Sequence, residues 1–271
     1  MKTGVINENR FENDANRYAA YLETPEGRLR ADLTFANLQD FLPPSAETNS
    51  LRALDLGCGT GATGVRLARL GIHITLLDSS PTMLALAERT IVEANVSDRI
   101  TVKHADAAQL AEFFHPRSFD IILCHNLLEY VDDPDAVLRD AVRLMRNSSA
   151  ILSVLVRNQA GEVLKAALQT GDLAAAEQNL TAGWAQESLY GGRVRLFTPV
   201  ALESILKAAP LTITARRGVR VVVDYLPEQI SRSADYERIF ALERKLGKRQ
   251  EFFRVARYLH CLARLATPGS E

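Results

Sequence analysis

From residue 53 onward, short apolar runs alternate with amphipathic segments. ALDLG (53–57), HITLLD (73–78), RITVKHAD (99–106), FDIILCHN (119–126) and AILSVLV (150–156) are Leu-rich or β-branched runs of strand length. Between them, stretches such as ATGVRLARLG and SPTMLALAERTIVEANV space their apolar residues at helical intervals. Strand, helix and strand repeated at these lengths predict right-handed crossovers and a parallel sheet covered on both faces. Ahead of this unit, FENDANRYAAYLETPEGRLRADLTFANLQDFL reads as one or two helices, with Pro25-Glu26-Gly27 as the break. After residue 157 the rhythm changes. Residues 158–196 hold an alanine-rich helical pattern and then a Gly-punctuated loop with the only Trp. TPVALESILKAAP starts a helix with Thr198 as cap and Pro199 in its first position. LTITARRGVRVVVDYL then reads as a strand, DYERIFALERKLGKRQEFFRVARY as helical, and LHCLARLAT as a last strand.

Composition adds little beyond a soluble globular domain: 47% of residues are apolar and 24% charged, within the ordinary range. At 271 residues the chain can bury one large α/β core, so we expect a single domain over 1–271, with an N-terminal helical cap at about 10–45 and an inserted lid or substrate-binding segment at about 158–196. No run approaches the roughly 18–20 apolar residues of a membrane helix, and the first residues lack a signal-peptide core. A cytoplasmic location is therefore expected. Cys58, Cys124 and Cys261 lie far apart, without metal-ligand or disulfide spacing, so no metal is expected. Charge is uneven: residues 205–271 carry 13 Lys and Arg against 7 Asp and Glu, while the remainder is acidic. Such a split hints at a polyanionic partner, although solvated helix faces also produce it.

The chemistry concentrates at LDLGCGTGATG (54–64). Gly59-Thr-Gly61-Ala-Thr-Gly64 satisfies the GxGxxG dinucleotide fingerprint, while Asp55-Leu-Gly57-Cys-Gly59-Thr-Gly61 satisfies the acidic-x-Gly-x-Gly-x-Gly turn of class I S-adenosylmethionine-dependent methyltransferases. The glycines alone do not decide. A pyrophosphate would repel a carboxylate two residues ahead of them, whereas a cofactor with an ammonium and a sulfonium and no phosphate would be favoured by it. Asp78, closing LLDSSPTML, can accept both hydroxyls of a ribose under either reading. HADAAQL and FDIILCHNLLEYVDDP resemble the methyltransferase motifs after the third and fourth strands, and no dehydrogenase Tyr-x-x-x-Lys accompanies them.

Beyond the glycine turn, FENDANRYAAYLETPEGRLR, LCHNLLEYVDDP, GVRVVVDYL (218–226) and YERIFALERKLGKRQEFFRVARYLHCLAR (236–264) resemble the tRNA 5-carboxymethoxyuridine methyltransferase family over nearly the whole chain. The resemblance implies a Rossmann-like class I methyltransferase fold: a mostly parallel seven-stranded α/β sheet, helices on both faces, and an antiparallel last strand. It implies S-adenosyl-L-methionine as cofactor, S-adenosyl-L-homocysteine as product, and esterification of the wobble uridine's oxyacetate in a tRNA anticodon stem-loop.

Carried onto this chain, it places Arg30, Asp55, Gly57, Cys58, Gly59, Asp78, Ser79, Met83, Asp106, Ala107 and His125 around the cofactor, Arg30 gripping its carboxylate, with Gly64 left to pack in the following helix. The alternative for Arg30 is a surface residue of an amphipathic helix, and for His125 a hydrogen-bonded core histidine. Two departures stand out: RNSSAIL replaces the family's Pro-Gly-Gly turn, and the 158–196 insertion, which in relatives can carry a lysine-rich run, offers little beyond Lys165, Arg193 and Arg195.

For a carboxylate acceptor, already ionised at neutral pH, no general base is required, only a clamp that aims one oxygen. Arg220, Tyr225 and Arg195 are the candidates for that clamp, against the reading that VRVVVDY is an alternating strand whose Arg faces water. Arg216, Arg217, Lys245, Lys248, Arg249, Arg254 and Arg257 could meet phosphates or form a solvated helix face on which Glu243 and Glu251 make local pairs. Methylation of a free small-molecule acid or amine, and a non-catalytic cofactor-binding role, stand as the competing functions.

Overall fold

The computed structural model describes residues 10–187, 189, 191–227 and 229–266. Helices α1 (Arg10–Glu23) and α2 (Pro25–Gln39) precede an alternating unit of β1 (Arg52–Leu56), α3 (Ala62–Arg69), β2 (His73–Asp78), α4 (Pro81–Glu93), β3 (Ile100–His104), α5 (Leu110–Phe113), β4 (Ile121–His125), α6 (Pro134–Leu144) and β5 (Ile151–Arg157). There follow α7 (Gln159–Leu164), a π turn (Lys165–Gln169), α8 (Leu173–Asn179), β6 (Trp184–Gln186), β7 (Arg193–Arg195), α9 (Pro199–Ala208), β8 (Leu211–Val219), α10 (Tyr236–Gly247), α11 (Gln250–Phe253) and β9 (Tyr258–Leu265).

Among the described residues the main sheet has seven strands in the order β3-β2-β1-β4-β5-β9-β8. The pairs among β1 to β5 are parallel, and β9 runs antiparallel to both β5 and β8. This is the parallel sheet the repeat predicts and the Rossmann-like α/β architecture, with an antiparallel last strand, that the resemblance implies. The central strands are buried almost end to end, as a sheet covered on both faces requires. One core gathers Leu54, Leu56, Ile122, Leu152 and Val154, and a second gathers Ala53, Ile74, Leu76, Leu123 and Leu262. A third cluster of Leu29, Leu33, Leu155, Val219, Ile239 and Tyr258 packs α2 and α10 against β8 and β9. The order reverses between β1 and β4, and the crevice at their carboxyl ends is where open α/β sheets bind ligands.

Three local expectations are corrected. The break between the first helices falls at Thr24, whose side chain accepts from Gly27 N, so Pro25 opens α2 instead of ending α1. The Gly-punctuated loop contains a β6–β7 hairpin, with Trp184 opposite Arg195. The run to residue 226 does not stay a strand: β8 ends at Val219, Arg220 takes a left-handed φ of 59°, and Val223–Tyr225 form a 3₁₀ turn. Propensity loses there to one side chain. The buried carboxylate of Glu243 on α10 accepts from the backbone N–H of Val221 (2.6 Å), Val222 (2.8 Å) and Val223 (2.8 Å), donors that a β ladder would otherwise use. Glu243 thus makes no local surface pair.

Candidate active site

The turn after β1 bends through three left-handed glycines, Gly57 (φ 65°), Gly59 (53°) and Gly61 (72°). A side chain at Gly57 would meet Leu127 at 3.0 Å, and one at Gly59 would meet the Tyr18 ring at 3.3 Å. Gly64 serves packing, since a Cβ there would lie 2.4 Å from Leu76. The turn is fastened to the next strand: Gly59 N donates to Asp78 Oδ2 (2.8 Å) and Ser80 N to Asp78 Oδ1 (2.9 Å). Burial still raises Asp78 above the usual carboxylate range.

Beside this turn a cleft is lined by Tyr18, Arg30, Asp55, Gly57, Cys58 and His125, together with Thr60, Asn126 and Leu155. Arg30 is 7% exposed, so the surface alternative for it falls. Its Nη1 donates to Asn126 Oδ1 and its Nη2 to the Tyr18 hydroxyl, both at 3.0 Å. Asp55, at the floor, forms no ion pair among the described residues; burial and the neighbouring Asp78 push its carboxyl up to about 8. His125 both lines the cleft and bonds into the core, with Nε2 2.8 Å from Ser153 Oγ. Burial and Arg30 hold its imidazole down to about 3, so it is neutral.

The remaining sequence candidates stand beyond the cleft lining. Ser79 is exposed and Met83 buried beside the end of β2. Asp106, exposed after β3, accepts from Ala108 N at 2.8 Å, and Ala107 is buried next to it. These residues follow strands paired in register, Asp78 opposite His104, and so extend the same sheet edge.

A cluster of buried arginines, carboxylates and tyrosines adjoins the cleft through Tyr21 and Tyr258, whose rings lie 5.1 and 5.7 Å from the Arg30 guanidinium. Arg220, buried, donates from Nη1 to the Tyr21 hydroxyl (2.9 Å) and from Nη2 to Asp224. The alternating-strand reading, with Arg220 facing water, is therefore wrong. Arg157 pairs with Glu162 and Glu187, and Arg257 with Glu162 at 2.9 Å. Against the burial that would raise it, Arg30, Arg157, Arg220 and Arg257 hold the Tyr258 phenol below its ordinary value. Arg220 Nε, Arg257 Nη1 and the Tyr225 hydroxyl are buried without a hydrogen-bond partner among the described residues. Three unsatisfied buried donors in one neighbourhood ask for an acceptor. Arg195 stands apart on the β7 rim, its Nη2 donating to Asp132 O (3.2 Å).

Sequence reading missed Tyr18, Tyr21, Asn126, Glu129, Arg157 and Tyr258. The signal for two of them lay in CHNLLEY: Asn126, at a left-handed φ of 51°, donates to Glu129 Oε1 (2.9 Å), which also accepts from Arg157 N (2.8 Å).

Residues 53–148 match the methyltransferase-domain family. Over 264 residues the chain is 27% identical to the tRNA 5-carboxymethoxyuridine methyltransferase of Escherichia coli K12, covering 94% of this chain and 95% of that one. The class I S-adenosylmethionine-dependent methyltransferase expectation stands. The chain carries a methyltransferase domain and is an S-adenosylmethionine-dependent methyltransferase. Its fold is shared with an S-adenosylmethionine-dependent methyltransferase from Thermotoga maritima (TM-score 0.62, 16% identical, 94% of this chain and 97% of that one). It is also shared with the 1,6-didemethyltoxoflavin N1-methyltransferase of Burkholderia thailandensis, a structure with S-adenosylhomocysteine bound (TM-score 0.58, 16% identical, 98% and 94%).

The cofactor of this methyltransferase, S-adenosylmethionine, supplies an electrophilic methyl on a sulfonium sulfur. The cleft fits such a molecule: an acid without a cationic partner at its floor, a glycine cradle that side chains would fill, and a guanidinium at its wall.

Proposed function

We propose that the chain methylates the carboxylate of 5-carboxymethoxyuridine at the tRNA wobble position, giving the methyl ester. One observation carries this reading: the buried arginine cluster beside the cleft keeps Arg220 Nε, Arg257 Nη1 and the Tyr225 hydroxyl without partners among the described residues. A carboxylate is the acceptor such a set of donors suits. The near full-length likeness to a tRNA 5-carboxymethoxyuridine methyltransferase supports the same acceptor.

In this reading Arg30 grips the cofactor's carboxylate, Asp55 meets its ammonium, and Gly57, Cys58 and Gly59 give it close approach. Asp78 and Ser79 serve its ribose, Met83, Asp106 and Ala107 its adenine, and His125 lines its methionine end. Arg220 and Tyr225 aim one oxygen of the acceptor at the methyl carbon. When bound, the cofactor would supply the electrophilic methyl group, with its sulfur as the leaving group. The acceptor is already an anion, so no proton has to move, and alignment is the main contribution of the protein.

The hairpin supplies a surface for the surrounding RNA. Val194 points inward, while Trp184, Arg193 and Arg195 share the outer face, the guanidiniums 5.1 and 4.8 Å from the indole ring. Charged, aromatic platforms of this kind suit unstacked loop nucleotides. Of the basic residues read as phosphate contacts, several are already engaged. Arg216 is bidentate to Glu203, Lys248 pairs with Asp40, Arg249 with Glu251, and Arg257 is buried against Glu162.

Mass spectrometry of wobble nucleosides from a deletion strain tests the reading. Accumulation of the free acid and loss of its methyl ester is the expected result, and an unchanged ester level would overturn it.

A further inference from the structure

A line of buried polar groups runs through an otherwise apolar layer, from the cofactor cleft to the N-terminal helices. His125 Nε2 lies 2.8 Å from Ser153 Oγ, and that oxygen lies 2.8 Å from His260 Nε2. His260 Nδ1 in turn faces Asn37 Nδ2 at 3.4 Å. Ser153 and His260 are fully buried and Asn37 is 2% exposed. Sheet register builds the line. Leu123 pairs with Ser153 and Ser153 with Leu262, so His125, two residues past Leu123, and His260, two before Leu262, point to the same face as Ser153. Helix α2 crosses that face and contributes Asn37.

Proton counting leaves little freedom. A neutral imidazole has one N–H and one lone pair, and a serine hydroxyl has one proton to give. An amide nitrogen at His260 Nδ1 can only donate, which places the His260 proton on Nε2, facing Ser153. The Ser153 proton must then point to His125 Nε2. The remaining His125 proton sits on Nδ1, the ring nitrogen left for the cleft.

We propose that Ser153, His260 and Asn37 are positioning residues that hold His125 in its Nδ1–H tautomer, so that the ring donates a hydrogen bond to the acceptor end of the bound cofactor. The second half of this statement rests on the placement of the cofactor's methionine end beside His125. The tautomer also turns an N–H, not a nucleophilic lone pair, toward a site that handles an electrophilic methyl group.

Long-range ¹H–¹⁵N correlation on histidine-labelled full-length protein tests it. In the wild type, His125 should show a pyrrole-like Nδ1 and a pyridine-like Nε2; the reverse pattern, or a mixture, overturns the proposal without any variant being needed. Ser153→Ala should give His125 a mixture of tautomers and weaken S-adenosylhomocysteine binding about 10-fold, the worth of roughly one hydrogen bond, while Ser153→Thr, which keeps the hydroxyl, restores both. Asn37→Asp, an acceptor in place of a donor, should reverse the register, and an unmoved His125 signal in both Ser153→Ala and Asn37→Asp would overturn the relay. If S-adenosylhomocysteine leaves the His125 nitrogens of the wild type unshifted, the cofactor contact is wrong, even where the tautomer pattern holds.

Discussion

The cleft and the buried arginine cluster beside it meet at Arg30 and the two tyrosines beyond it, yet they are built by different means. The cleft is mostly backbone: three left-handed glycines, N–H groups fastened to Asp78, and residues placed at the carboxyl ends of neighbouring parallel strands. The cluster is mostly side chain: arginines from β5, from the turn after β8 and from the residue just before β9, held by carboxylates on α7, on the hairpin and on the 3₁₀ turn. Backbone geometry repeats wherever the fold repeats. A side-chain cluster can be rebuilt without disturbing the sheet, which is how one fold hosts many chemistries.

If the two regions are separable in this way, damage to the arginine cluster should spare cofactor binding. The largest effect is expected for Glu243→Ala, which strands the N–H groups of three consecutive valines in a buried turn. A loss of about 3 kcal/mol in denaturant unfolding is expected, together with loss of methyl transfer. A change below 1 kcal/mol would mean that the turn stands without its clamp.

Arg220→Lys keeps a cation for Asp224 and removes the planar fork. It should lower kcat/KM toward tRNA about 100-fold while moving the S-adenosylhomocysteine Kd less than twofold. A parallel fall in cofactor affinity would show that cleft and cluster are one unit.

Asp55 sharpens the comparison from the cleft side. Its carboxyl titrates near 8 in the free protein, and a cationic ligand favours the ionised form. Cofactor affinity should therefore rise with pH up to about 8, by at most tenfold per unit, and level off above it. Calorimetry in buffers of different ionisation enthalpy should find a proton released on binding near neutrality, absent in Asp55→Asn. The same raised pKa makes the free protein's stability contribution from this group full below pH 4, the unfolded range, and progressively lost as pH rises toward 8. The smallest effect is expected at the rim, where Trp184→Ala should raise KM for tRNA about threefold without changing kcat.

The same division explains what the sequence could say. The alternating unit, its parallel order and the glycine turn are local patterns, and the structure has them where the periodicity put them. Arg30, Asp55, Gly57, Cys58 and His125 do line one cleft. The rest was illegible because its partners are remote: Arg30 bonds to a residue 96 positions away and Arg220 to one 199 away. VRVVVDY looked like a strand because valines favour one, and nothing local announces that Glu243, on a helix some twenty residues later, will take its donors. Glu187, 1% exposed against Arg157, sat in a stretch that read as plain loop.

Strand β9 lies between β5 and β8, about a hundred residues after the one and forty after the other. A ribosome emitting this chain therefore releases a five-stranded sheet whose β5 edge has no neighbour, and then β8 with nothing to join, until Leu265 is out. Closing so long a loop is slow, and the exposed edge invites pairing with other chains meanwhile. Because Tyr258 and His260 arrive only with that strand, a prematurely terminated chain lacks both the ring between Arg30 and Arg220 and the far end of the His125 line. Synthesis that stops early thus yields a product whose β5 edge stays open.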